Sequence, residues 1–538
     1  MNSVEGGIGV IRRVMTLGVM VLLAVAAAGP WPAARAQMPQ VFRTPLSGEA
    51  PTLDPYYAVD SASAPVVFLM YNTLVGLDAN GRLLPQAASS WDISPNGLVY
   101  TFHLRDNMYF HSGRKATAAD WKWSFERMGS PALKSPVGSV VVSGIQGYDA
   151  FQSGADGIAG ITAVNPTTLR FVLNPAHRGG FLNRLAYYAA VVMDKDVVAR
   201  GQGWYTTQDA GTGPFILKEW AHNDHFTLAA SPRYYAGAPK VAAISIPIVT
   251  EARTQLSEYL AGQLDFILVP LGDYQRISTD AKLKQELLVY PRAQILYLGL
   301  NPRVYAPFRD RRVRRAFAMA IDKARIARTV FFGFYTPASV FTPPGIPGFY
   351  AGYKGLPYDP AGARKLLEEA GVAGKLPPFR IAMNPFGPVA QMEGEPAVAM
   401  LKQNLGVDAT LERTEFATFI TNLNKRTVYQ SFLSGWSADY LDYSDYLDIL
   451  LYSTSPLNRL NYNNPDFDKL VDQANAAPNE TDRIALYHKA EALMIEDVGA
   501  VPLMFTQFAY LKKPYVKGLR TSPAVNGWLP FDAVAIEK

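Results

Sequence analysis

Residues 98–127 read LVYTFHLRDNMYFHSGRKATAADWKWSFER. The apolar and β-branched run over 98–104 predicts a strand, and 119–127 carries apolar residues every three or four positions behind a Thr117 start, predicting a helix. The same alternation recurs outward in both directions. Strand-like runs stand at 168–173, 226–229 and 295–300, and helical patterns at 312–320, 360–370, 396–404 and 483–495. Short strands interleaved with amphipathic helices predict an α/β layered protein rather than a bundle or an all-β sandwich. Turn-rich stretches near 78–81, 210–214 and 301–310, where Pro302 and Pro307 interrupt the periodicity, mark boundaries between units.

At 538 residues the chain is too long for one core, because cores stop growing near roughly 250–300 residues, so two or three domains are expected. Arg12 and Arg13 precede an apolar run over 14–28, and Ala34-Arg35-Ala36 offers a small-residue cleavage site before Gln37. Residues 1–36 therefore read as a cleaved signal peptide, of general or twin-arginine type. There is no cysteine, so neither a lipid on an N-terminal thiol nor a disulfide is available. With no second apolar span of about 20 residues, a free periplasmic protein is expected. The net charge of +5 is small for this length, and the one basic cluster, Arg309, Arg311, Arg312, Arg314 and Arg315, shares a helix with Val313, Phe317 and Ile321 at core spacing. That pattern reads as a solvated face, and nucleic acid is not expected as a partner.

Catalytic signatures are missing: no G-x-S-x-G elbow, no phosphate-binding G-x-x-x-x-G-K, no H-E-x-x-H and no cysteine nucleophile occur. The six histidines are dispersed, His222 and His225 being the nearest pair, so neither a metal nor another cofactor is called for. The densest mixture of acids and rings is Gly435-Trp436-Ser437-Ala438-Asp439-Tyr440-Leu441-Asp442-Tyr443-Ser444-Asp445-Tyr446, following a strand-like run. An acidic aromatic slot suits a ligand ammonium group. The competing reading makes the acids at 442, 445 and 448 the polar stripe of a helix.

A series of motifs then runs along the chain: Thr52-Leu53-Asp54-Pro55, Tyr71-Asn72-Thr73-Leu74-Val75, Gly81-Arg82-Leu83-Leu84-Pro85, Ser90-Trp91, Ser94-Pro95-Asn96-Gly97, Phe110-His111-Ser112-Gly113 and Thr117-Ala118-Ala119-Asp120. Gly211-Thr212-Gly213-Pro214-Phe215, Pro307-Phe308-Arg309-Asp310, Val313-Arg314-Arg315-Ala316 and Ala320-Ile321-Asp322 follow. In order and spacing this resembles the extracellular solute-binding proteins of family 5, which serve dipeptide, oligopeptide and nickel importers. The resemblance implies an α/β fold like the class II periplasmic binding proteins, with two lobes, a hinge and an inserted extra domain. It places the first lobe at residues 37–76, 205–300 and 505–538, the inserted domain at 77–204 and the other lobe at 301–504. Hinges are expected near 299–302 and 503–508.

It further implies a monomeric, non-catalytic binder that closes on a short peptide or peptide-like solute and delivers it to an inner-membrane ABC permease with its ATPase subunits. Asp439 matches the aspartate that holds a peptide's α-amino group, with Trp436, Tyr440 and Tyr443 as pocket walls. Val59, Asp60, Ser61, Ala62 and Ser63 would offer main-chain groups to an extended ligand. The arginines that grip a carboxylate in tripeptide and dipeptide binders fall at Leu433 and Asn384 here, so neither is present. A non-peptide ligand on the same scaffold, such as an opine, sugar, metal chelate or haem, stays open. A secreted hydrolase using Asp439 and Asp442 is the remote alternative.

Overall fold

The strand Leu287–Leu300 runs through the middle of the molecule in the computed structural model, which describes residues 40–175, 179–383, 389–524, 527 and 529–538. The expected signal peptide lies outside the described residues. On one side the strand pairs antiparallel with Val501–Lys512 and on the other with Ser431–Ser437; the sheet continues in parallel through Phe379–Met383 and Ala409–Arg413. Ala293, Ile295 and Tyr297 pack into one apolar layer with Phe432, Tyr446 and Tyr487, while Leu298 and Leu300 pack into another with Phe317, Phe379 and Leu503. A strand buried on both faces has to be a near-continuous apolar run, as 295–300 is. Gly299 serves this packing, because a Cβ there would stand 2.4 Å from the Phe432 ring.

Two further sheets have four strands each, beside two short two-stranded ones. One has the order Val41–Arg43, Ala243–Pro247, His225–Ala230, Phe215–Ala221; the other has Ala88–Ile93, Val99–Leu104, Thr168–Val172, Ile161–Asn165. A single apolar cluster spans both, running from Phe42 through Phe102, Phe125 and Phe171 to Phe226, and takes in Phe508 and Tyr510 of the long central strand pair. That pair thus links separate cores. Its ladder is broken between Pro291 and Ile295, opposite 505–507, and again at Leu296–Tyr297. The break overlaps the expected hinge at 503–508, whereas the ladder runs unbroken past Gly299, the other expected hinge.

The expected helices stand within one to three residues: Ala118–Met128, Arg311–Met319, Pro360–Glu369 and Glu480–Asp497 are helices. Thr117 and Asp120 close a reciprocal capping box, and Asp310 and Asp359 accept backbone N–H groups at their helix starts. The helix expected from Pro396 instead begins at Val389 and runs through the proline. Its early turns are held by packing of Met392 and Gly394 against Leu411 and Leu433, a tertiary preference that outweighs the lost backbone bond. In the basic cluster Arg311 and Arg312 face solvent, but Arg314 donates to the Asp497 and Val498 carbonyls and Arg315 to that of Glu496, satisfying a helix C-terminus.

Candidate functional site

Past Ser437 the strand ends, and one further ladder bond, from the Ala438 N–H to the Ala293 carbonyl at 2.8 Å, fixes where the chain leaves. Residues 438–446 then fold back over the sheet edge around two buried carboxylates. Asp445 accepts the Trp436 indole N–H and the Asp439 N–H on one oxygen, each at 3.0 Å, and its other oxygen is buried without a partner. Asp442 accepts from Ser444 and Arg483, and from Asn183 Nδ2 at 2.9 Å. The acids at 442 and 445 are therefore not the solvated stripe of a helix: they organise a loop from inside, Asp445 through its own loop and Asp442 through Asn183 and Arg483, far off in sequence.

The three acids differ in how they are compensated. Burial works against the Asp442 carboxylate, but the charge and hydrogen bonds of Arg483 outweigh it and hold the group down at about 2. Among the described residues Asp439 has no such partner, and burial pushes it up to about 6. Asp445 is raised well above the ordinary carboxylate range by burial and then by the neighbouring Asp439 charge. Two like charges this close cannot both ionise cheaply, so the pair titrates as a unit and keeps a proton into the neutral range.

Asp439 and Tyr440 form part of the wall of a cavity whose empty volume, open mouth included, is about 970 Å³. Tyr187, Tyr188, Tyr234 and Tyr235 line it across from them, and Arg520, ion-paired to Asp532 at 2.5 Å, lies on its far side. Burial and the neighbouring acids raise the phenols of Tyr187 and Tyr188, so both stay neutral donors. Rigid rings with polar tips around an uncompensated carboxylate make a receptor for a cationic, partly apolar molecule.

The other expected site residues fall in different places. Trp436 is half-buried, its indole N–H spent on Asp445. Tyr443 is buried behind the loop, donating to the Gly348 carbonyl at 2.9 Å and stacking on Tyr487, away from the cavity. The segment from Val59 to Ser63 is no extended edge: Asp60 caps the helix Ser63–Met70 by accepting the Ala62 and Ser63 N–H groups, and the Val59 N–H is taken by Tyr57. It still borders the tyrosine wall, because Tyr188 donates to the Ala58 carbonyl at 2.7 Å. Asn384 lies outside the described residues. The tyrosines at 187–188 and 234–235 were not expected in the site; their only sequence signal is the Tyr-Tyr doublet itself.

Among the described residues no helix is long and apolar enough to cross a membrane. The family described as bacterial extracellular solute-binding proteins, family 5 middle, matches residues 82–458. YgiS of Escherichia coli K12, named a probable deoxycholate-binding periplasmic protein, is 29% identical over 89% of this chain and 90% of its own. Di/tripeptide-binding protein 2 of Pseudomonas aeruginosa is 29% identical over 87% of this chain and 89% of its own. Among solved structures, the Escherichia coli murein tripeptide binding protein MppA superposes with a TM-score of 0.77 at 27% identity, covering 93% of this chain and 99% of that one.

Proposed function

The chain belongs to the bacterial extracellular solute-binding proteins of family 5, and from that membership we propose that it is the periplasmic receptor of an ATP-driven importer, holding a short peptide or peptide-like solute between two lobes and handing it to an inner-membrane permease. The observation that carries the ligand class is Asp439, a carboxylate on the cavity wall with a second buried acid behind it and, among the described residues, no cation paired with it. A ligand ammonium supplies the missing charge. Once the lobes close over it, the ammonium meets Asp439 away from bulk water, where charge-assisted hydrogen bonds are strong and an unmatched charge is costly. Tyr440, Tyr187 and Tyr188 complete the amino-terminal pocket. In this reading the protein performs no chemistry: recognition and closure about the broken ladder at 291–295 are its work.

The relative named for deoxycholate raises an anionic steroid as a competitor, and the paired acids oppose it, since a carboxylate ligand would add a third like charge. Thermal unfolding of the mature protein against di-, tri- and pentapeptides, opines, sugars and deoxycholate tests the choice. A ligand at 100 times its dissociation constant stabilises the fold by about 2.7 kcal/mol, which raises the midpoint visibly. A rise with peptides bearing a free amino group is expected; a rise with deoxycholate or a sugar alone would overturn the ligand and keep the transport role.

Ammonium binding also drives the shared proton off the acids. With Asp439 near 6 in the free protein, affinity is expected to fall about tenfold between pH 7 and pH 5, where each proton retained blocks one cation. Calorimetric titration across that range checks it; a flat profile would mean that the cation is held elsewhere.

A further inference from the structure

The cavity wall that faces Asp439 is tied to the loop that carries Asp439. Asn183, on the short helix Phe181–Leu185, donates from Nδ2 to the Asp442 carboxylate at 2.9 Å, across 259 positions of sequence. The two ends of that bond belong to different cores. Phe181 and Leu185 pack with Phe102 and Phe171, whereas Leu441 and Tyr443, on either side of Asp442, pack with Tyr446 and Tyr487. Backbone comes close at the same place. A Cβ on Gly180 would stand 3.0 Å from the Asp442 carboxylate, and one on Gly179 would stand 2.8 Å from Arg483 Nε and from Asn475 Oδ1. Gly180 also opens the helix at φ +67°, a left-handed conformation that suits glycine.

The far end of the helix runs straight into the cavity wall. The Ala186 N–H is taken by the Leu182 carbonyl at 3.1 Å and the Tyr187 N–H by that of Arg184 at 3.3 Å, so Tyr187 follows wherever the helix goes. Tyr187 and Tyr188 line the cavity opposite Asp439, near enough for its charge to act on both phenols. The two partners of the contact do not yield equally. Asp442 is locked between Arg483 and Ser444, both buried. The helix is five residues long and borders an open groove that Gly179, Gly180, Leu182 and Pro478 line on its outer side. Packed side chains transmit strain, so an atom added between helix and loop displaces the helix, and Tyr187 moves with it.

We propose that Asn183 and Gly180 are positioning residues that set the width of the pocket around the ligand's amino end, and so determine how large a first side chain the ligand can carry. This rests on the peptide reading above. The Asn183 hydrogen bond draws the Tyr187 wall toward the Asp439 loop, and the missing side chain at position 180 lets it come that near. Gly180 lines the outer groove, whereas Asn183 borders groove and cavity alike, so a methyl group at 180 acts on the ligand by moving the wall rather than by touching it. A gap between rigid rings discriminates steeply, since one methylene too many or too few in a fitted apolar pocket changes recognition by about 10- to 200-fold.

The test is calorimetric binding of di-, tri- and pentaalanine, and of the same peptides with phenylalanine first, to wild type, Gly180→Ala and Asn183→Ala. At the length that wild type binds best, each variant is expected to shift the ratio of the two affinities toward the phenylalanine peptide by about fivefold or more. The wall then stands further off, and alanine loses contacts that the larger ring regains. Equal loss of both peptides, with the ratio unchanged, is what a merely structural contact gives, and it overturns the proposal while the peptide reading stands. A shift toward the alanine peptide overturns it too, because the wall would have moved inward. Asn183→Ala adds no bulk and decides the matter if Gly180→Ala does not fold. Failure of wild type to bind any of these peptides removes the peptide reading and the proposal together.

Discussion

Asp439→Asn is expected to weaken binding of an amino-terminal ligand by 100-fold or more, while making the ligand-free protein more stable at pH 8. The two effects have one cause. Truncating one partner of a desolvated charge pair costs about 2–5 kcal/mol of affinity, and the amide that replaces Asp439 offers the ammonium a dipole in place of a charge. In the empty site that same charge is a liability. Folding moves the Asp439 carboxyl from 3.8 up to about 6, so between those values the folded state holds a proton that the unfolded chain has lost. Stability then falls as pH rises through this window, by about 3 kcal/mol in all, and the penalty is absent below pH 4. The asparagine variant escapes it and also relieves Asp445 of its neighbour's charge. Urea unfolding of both proteins at pH 4 and pH 8 reads the stability arm. A variant that loses both affinity and stability would make Asp439 a structural acid, not a ligand anchor.

The trade-off explains why so little of the site was legible in the sequence although the fold was. The motifs that gave the family away build scaffold. Asp54 pairs with the Arg127 guanidinium at 2.6 Å, and Gly211 and Gly213 let the chain pass against Met70, where a Cβ at Gly211 would stand 1.9 Å from the Met70 carbonyl oxygen. Thr117, Asp120 and Asp310 start helices. Such roles depend on short-range geometry and leave fixed residues at fixed spacings. Site roles depend on what the fold brings together. Asp439 could be placed by its neighbours Gly435 and Trp436, but its coupling to Asp445 needs the turn at 443–445, and Asp442 needs Arg483, 41 residues on. Tyr443 reads as a pocket wall by proximity alone, and the same turn carries it to the opposite side of the loop.

Arg483→Met carries the largest stability effect expected in the chain, about 3–5 kcal/mol, because it strands the Asp442 carboxylate in the interior without its counter-ion. Asp442 and Arg483 are joined by two hydrogen bonds, and their side chains are only 2% and 5% exposed. In wild type the pair holds Asp442 down at about 2, so its contribution is complete above pH 4 and is lost as the pH falls toward 2. The gap between wild type and Arg483→Met is therefore expected to narrow on acidification, when the stranded acid takes up a proton. Adding Asp442→Asn to Arg483→Met should restore part of the stability at pH 7 by removing the orphaned charge. Ligand affinity enters through the same carboxylate: Asn183, from the cavity wall, donates to Asp442, and Ser444 links Asp442 to Tyr440 beside Asp439. Losing the arginine loosens the loop that presents Asp439, and at least a tenfold fall in affinity is expected at a temperature where the variant is still folded. Intact affinity in a destabilised Arg483→Met protein would mean that Asp445 and the ladder bond at Ala438 hold Asp439 in place without the ion pair behind them.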